Sequence, residues 1–133
     1  MDMEKILSLF TLFSGETDTE KYYALIESAV LYVGRQLKSS EYEKDSRVPF
    51  YVASVANLVY SRAVSMRYKL SQTYAGSVAQ MPSETNVIMC DMAEKLCEGY
   101  RSLCSDILKD DTFWFVLSGD DVENWLVCLL KKL

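Results

Sequence analysis

Apolar residues recur at helical spacing through most of this chain. In EKILSLFTLF, residues 4–13, Ile6, Leu9, Phe10 and Phe13 share one face, and Ser14-Gly15 follows. A glycine just past the last periodic position predicts the end of a short amphipathic helix. Thr17-Asp18-Thr19-Glu20 has capping-box spacing, in which the Thr hydroxyl and the Glu side chain each satisfy a free backbone N–H, so a second helix is predicted to start there. Tyr22, Ile26, Ala29, Val30, Val33 and Leu37 keep the period, which predicts a helix to about Lys38 with that face buried. KSSEYEKDSR, residues 38–47, is the most polar stretch and predicts a loop.

Pro49 suits the first turn of a third helix, where its missing N–H costs nothing. FYVASVANLVYSRAVSMRY is apolar on most sides, the mark of a helix at the centre of a domain. Its exception is a stripe of small polar residues, Ser54, Asn57, Ser61 and Ser65, that lets a neighbouring helix approach closely, from the same chain or from another copy. YKLSQTYAGSVAQMPSE, residues 68–84, has few charges, one glycine and one proline, and predicts a short strand-like insert. A long fourth helix is predicted from Pro82-Ser83 to about Lys109, with Met89, Ala93, Leu96, Tyr100, Leu103 and Ile107 on its inner face and charges on the other. TFWFVL then reads as a strand or extended strap. After Ser118-Gly119, a terminal helix carries Val122, Trp125, Leu126, Leu129 and Leu130 and ends in Lys131-Lys132, as the helix dipole favours.

The fold class expected is therefore mainly α: a compact bundle of about four helices, with a short strand-like insert between helices three and four and a C-terminal strap plus helix. Residues 1–109 form the helical domain and residues 110–133 the added strap and docking helix. A chain of 133 residues suits a single core.

Composition narrows the chemistry. A net charge of -5 with no basic block argues against non-specific nucleic-acid binding, which depends on Lys and Arg displacing counterions. The opening MDMEKILSLF lacks a basic leader region and no apolar run approaches a membrane span, so an intracellular, soluble protein with no membrane partner is expected. Sixteen aromatic residues (nine Tyr, five Phe, two Trp) lean toward assembly. Cys90, Cys97 and Cys104 are spaced by seven, a rise of about 10.5 Å per step on one helix. They can neither pair nor share a metal along that helix, and they are expected, with Cys128, to be packing residues. The absence of histidine removes the commonest general base and metal ligand, and the five glycines are isolated. Asp110-Asp111 and Asp120-Asp121 stand where caps are expected. No catalytic residue, metal or cofactor is expected, and the protein is not expected to be an enzyme.

The order of pieces resembles the bacteriophage head-tail connector (adaptor, or head-completion) family, small proteins that assemble as a ring beneath the portal of a tailed phage. The pieces that carry the resemblance are LFTLFSGETDTEKYYALIESAVLYV (9–33), VPFYVASVANLVYSRAVS (48–65) and TYAGSVA (73–79), together with the pair Tyr60 and Arg62 late in the third helix. The resemblance covers about residues 5–108. It implies a structural subunit of a homo-oligomeric, twelvefold ring at the virion neck, assembled in the bacterial cytoplasm, with the portal protein above, a tail or stopper protein below, and DNA passing without sequence-specific binding. Ser54, Asn57, Ser61, Tyr74, Gly76 and Val78 are then the subunit-interface candidates, the insert adding an edge to a neighbour's strand or projecting into a shared channel. Phe113, Trp114, Phe115, Trp125, Leu126 and Leu129 are the candidates for docking on the portal. The alternative is a small acidic helical binding module or inhibitor that occupies a basic groove.

Overall fold

The computed structural model describes residues 1–75 and 83–109, with backbone alone for 68–75 and 83–86. Four helices account for most of it: α1 (Met3–Ser14), α2 (Tyr23–Gln36), α3 (Val48–Ala75) and α4 (Ser83–Leu103). No strand occurs among the described residues. The helical bundle expected from the sequence is the fold observed.

The ends of α1 follow local chemistry. Asp2 is the N-cap, its carboxylate accepting from the Lys5 N–H at 3.2 Å. Gly15 closes the helix in the left-handed conformation at φ +78°, donating its N–H to the Thr11 carbonyl. Ile6 and Phe10 are fully buried.

The start of α2 departs from the expected capping box. Thr17 does not cap it; Asp18 instead accepts the Lys21 N–H within a turn, and α2 begins at Tyr23 with no side-chain cap. The position is set by Tyr22, which is buried with its ring 6.0 Å from that of Phe10 and 5.1 Å from that of Tyr60. Burying such a ring stabilises by about 1.5–3 kcal/mol, against about 1 kcal/mol for a cap. Beyond α2, the polar stretch forms a short 3-10 helix, Ser40–Lys44, capped by Ser39.

Helix α3 is the centre of the bundle, and α1, α2 and α4 all pack on it. That is why Tyr51, Val52, Val55, Ala56, Leu58 and Val59, which point in different directions around the helix, are all buried. The helix continues to Ala75, so residues 68–75 of the stretch expected to be strand-like are helical. The remainder of that insert, including Gly76 and Val78, lies outside the described residues.

Helix α4 ends at Leu103, six residues before the expected limit. The Leu103 carbonyl accepts from Arg47 Nη1 at 2.7 Å, and a turn over Cys104–Ile107 leads to a single antiparallel bridge between Leu108 and Leu37. Lys38 N–H bonds the Ile107 carbonyl at 2.9 Å, and Lys109 N–H bonds the Gln36 carbonyl at 2.7 Å. Gln36 is in the last turn of α2, where carbonyls have no partner inside the helix. Satisfying it draws the chain out of helical geometry. On α4 the covered line is Ala93 and Cys97, continued by Cys104 in the turn that follows, so two of the cysteines are central core residues, while Leu103, expected inside, is 60% exposed.

Candidate interaction groove

The polar stripe of α3 is used inside the chain. Ser54, Asn57 and Ser61 are buried; Ser54 donates to the Tyr51 carbonyl at 2.7 Å and its hydroxyl is bonded to the Cys97 thiol of α4. Of the two neighbours the sequence allowed, a helix of the same chain packs on α3 beside the stripe: α4, whose Ala93 lines the same hollow as Asn57 and Ser61. Ser54 is fully covered, whereas Asn57 and Ser61, though each keeps little exposed surface, lie at the bottom of a groove that is open to a partner. Tyr74 is on α3, and its side chain, with Gly76 and Val78, lies outside the described residues. So do Phe113, Trp114, Phe115, Trp125, Leu126 and Leu129.

Helices α1 and α4 sit on the same side of α3 and leave a groove between them. Its floor is Asn57, Tyr60 and Ser61; Leu12 and Phe13 of α1 form one wall and Met89, Met92 and Leu96 of α4 the other, enclosing about 430 Å³. Toward the C-terminal end of α4 lies a second hollow of about 340 Å³, lined by Lys5, Ser46, Arg47, Phe50, Tyr100 and Leu103. A run of rings joins the two: Phe13 stacks on Tyr100 at 6.0 Å, Tyr100 lies 5.5 Å from Phe50, and the Lys5 ammonium sits 4.8 Å over Phe50. Leu12 is 75% exposed and Met92 66%, and Val87, Ile88 and Leu103 are exposed along the same helix.

Periodicity alone did not find this surface. Leu12 and Met92 fall off the inner faces on which Phe10 and Ala93 lie, so the stripe rule passes over them. The available signal was the surplus: LSLFTLF and NVIMCDM each carry more large apolar residues than a single buried face needs.

Charge and titration elsewhere serve structure. Arg47 bridges Asp45 at 2.9 Å and Asp106 at 2.8 Å. Its hydrogen bonds hold the Asp45 carboxyl down at about 2 and the Asp106 carboxyl below its ordinary value. Burial pushes the Cys97 thiol up to about 12 and the Cys104 thiol to about 11, so neither is a ready nucleophile. Burial, with a hydrogen bond to Glu16, also raises the Tyr60 hydroxyl. Among the described residues no three His, Cys, Asp or Glu side chains gather as metal ligands, and no helix is long and apolar enough to cross a membrane.

No family model, curated protein or solved structure matches this chain.

Proposed function

We propose that this protein works by protein–protein contact, as a structural subunit of a larger assembly, with the α1/α4 groove as a docking surface. The observation that carries the proposal is the exposure of Leu12, Met92, Val87, Ile88 and Leu103 beside the groove and along the helix that walls it. Apolar side chains concentrated in this way mark interaction sites. Methionines on the wall suit such a site, since the unbranched thioether adapts to different partner shapes.

The finer reading is the head-tail connector: a ring subunit of a phage neck that meets the portal on one side and a tail or stopper protein on the other. It is supported by the order of the helical pieces, with a short first helix, a Pro-started central helix and a long amphipathic last helix. Light scattering of the purified chain, with negative-stain images, tests it. Closed rings that bind the portal in a pull-down are the expected result; a monomer that ignores the portal rejects the connector. The second reading, an acidic binding module, is favoured by the net charge of -5 and by a core that closes within one chain. It predicts a monomer or dimer that captures a basic partner.

A further inference from the structure

We propose that the α1/α4 groove is covered by the chain's own C-terminal segment, residues 121–133, lying as a helix antiparallel to α4. Going beyond the docking function above, this holds for a ring subunit and for a binding module alike.

The first argument is where the segment starts. Lys109 is tied to Gln36, and its neighbour Asp106 is bonded to Arg47, which lines the hollow at the near end of the groove. Residues 110–120 can span up to about 36 Å if extended, more than enough to turn back. The second is length. From Leu103 to Met89 the wall of α4 rises about 21 Å, and residues 121–133 as a helix rise about 20 Å. The third is pattern. Val122, Trp125, Leu126, Leu129 and Leu130 fall at i, i+3, i+4, i+7 and i+8, the anchors a helix uses in an apolar groove. The fourth is charge. With this direction Asp120, Asp121 and Glu123 come to the hollow that Lys5 lines. A tether this short also gives the segment a millimolar effective concentration at its own groove, so an external partner must outcompete it.

The chain has two tryptophans, Trp114 in the connecting stretch and Trp125 in the segment, so with Trp114 replaced tryptophan emission reads the segment's surroundings alone. In the full chain carrying Trp114→Phe, Trp125 should emit at short wavelength and be protected from acrylamide. Adding Leu12→Lys and Met92→Lys should shift emission to longer wavelength and remove the protection with the far-UV circular dichroism unchanged, since both side chains are largely exposed. Leu31→Lys, on an exposed position of α2, should leave Trp125 as it was. Emission typical of water in the full chain, or protection that survives the two groove substitutions, overturns the proposal. A third arm refolds the groove variant together with a chain that has an intact groove and no tryptophan. Trp125 staying exposed is expected; restored protection would give the groove to a second copy's segment and overturn covering within one chain.

Discussion

The hydroxyl of Tyr51 donates to Oε1 of Gln36 at 2.9 Å, and both side chains are closed to solvent. Tyr32 is hydrogen-bonded to the same amide, while Gln36 Nε2 has no partner. Removing Gln36 strands the Tyr51 hydroxyl, at a cost of about 1–3 kcal/mol, whereas removing the Tyr51 hydroxyl leaves the Gln36 amide its bond to Tyr32 and loses one hydrogen bond. Tyr51→Phe and Gln36→Leu should therefore each destabilise. The double variant should lose less than the two losses added, because no stranded partner remains at that bond. Urea unfolding of all four proteins measures this, and strict additivity would remove the coupling.

Arg47 sets the acid behaviour. The Asp45 carboxyl is lowered from 3.8 to about 2, so its contribution to stability is complete above pH 4 and disappears as the pH falls from 4 toward 2. Asp106 acts in the same direction. Arg47→Met should lower Tm at neutral pH and flatten the fall between pH 4 and 2, because its carboxyls then titrate near their unfolded value. Thermal melts across that range, wild type against variant, provide the check. Parallel curves would assign the acid loss to other groups.

Cys97 governs part of the alkaline limb. Its thiol keeps its proton in the folded chain to about pH 12, whereas the unfolded thiol releases it near 9. Stability present below pH 9 is thus lost between 9 and 12, and Cys97→Ala should make that decline shallower. In a Cys128→Ser background at pH 8, half-buried Cys90 should react with a thiol reagent well before Cys97 and Cys104, which should wait for unfolding. Prompt labelling of all three would contradict their burial.

Two single substitutions separate the start of α2 from its sequence signature. Tyr22→Ala removes a buried ring between Phe10 and Tyr60 and should cost about 3–5 kcal/mol. Thr17→Ala, at a position that caps nothing, should stay within about 0.5 kcal/mol of wild type. A Thr17 loss as large as that of Tyr22 would restore the capping box.

Gly15 stands at φ +78°, and a Cβ built there meets no atom within 4 Å. The cost of Gly15→Ala is then backbone strain alone, about 1–2 kcal/mol, with Gly15→Asn cheaper because Asn tolerates the left-handed region. Chemical denaturation of the two variants distinguishes this from crowding, which would make Asn the worse replacement.

Within the groove, Met89, Leu96 and Phe13 were legible as members of apolar faces. Their neighbours Leu12 and Met92 were not, since a face rule separates inside from outside and has no category for an apolar residue left at a rim. Gln36 was equally hidden: its role depends on Tyr51 and Tyr32, and no local pattern in the second helix announces a buried amide.

Local sequence determined the helices, because spacing, glycine and proline act over distances of a turn or two. The Asp2 and Gly15 caps, Pro49 in the first turn of α3 and the all-round apolar character of that helix each rest on neighbours within a few residues or on the sum of one element's surface. Tertiary structure decided what those elements meet. It packed α4 on α3 beside the Ser54–Asn57–Ser61 stripe, carried α3 through Ala75, ended α4 at Leu103 where Arg47 takes its carbonyl, and moved the start of α2 to suit Tyr22. Long-range burial and long-range hydrogen bonds outweigh a cap or a local turn preference by a kcal/mol or more, and their partners lie dozens of residues away along the chain.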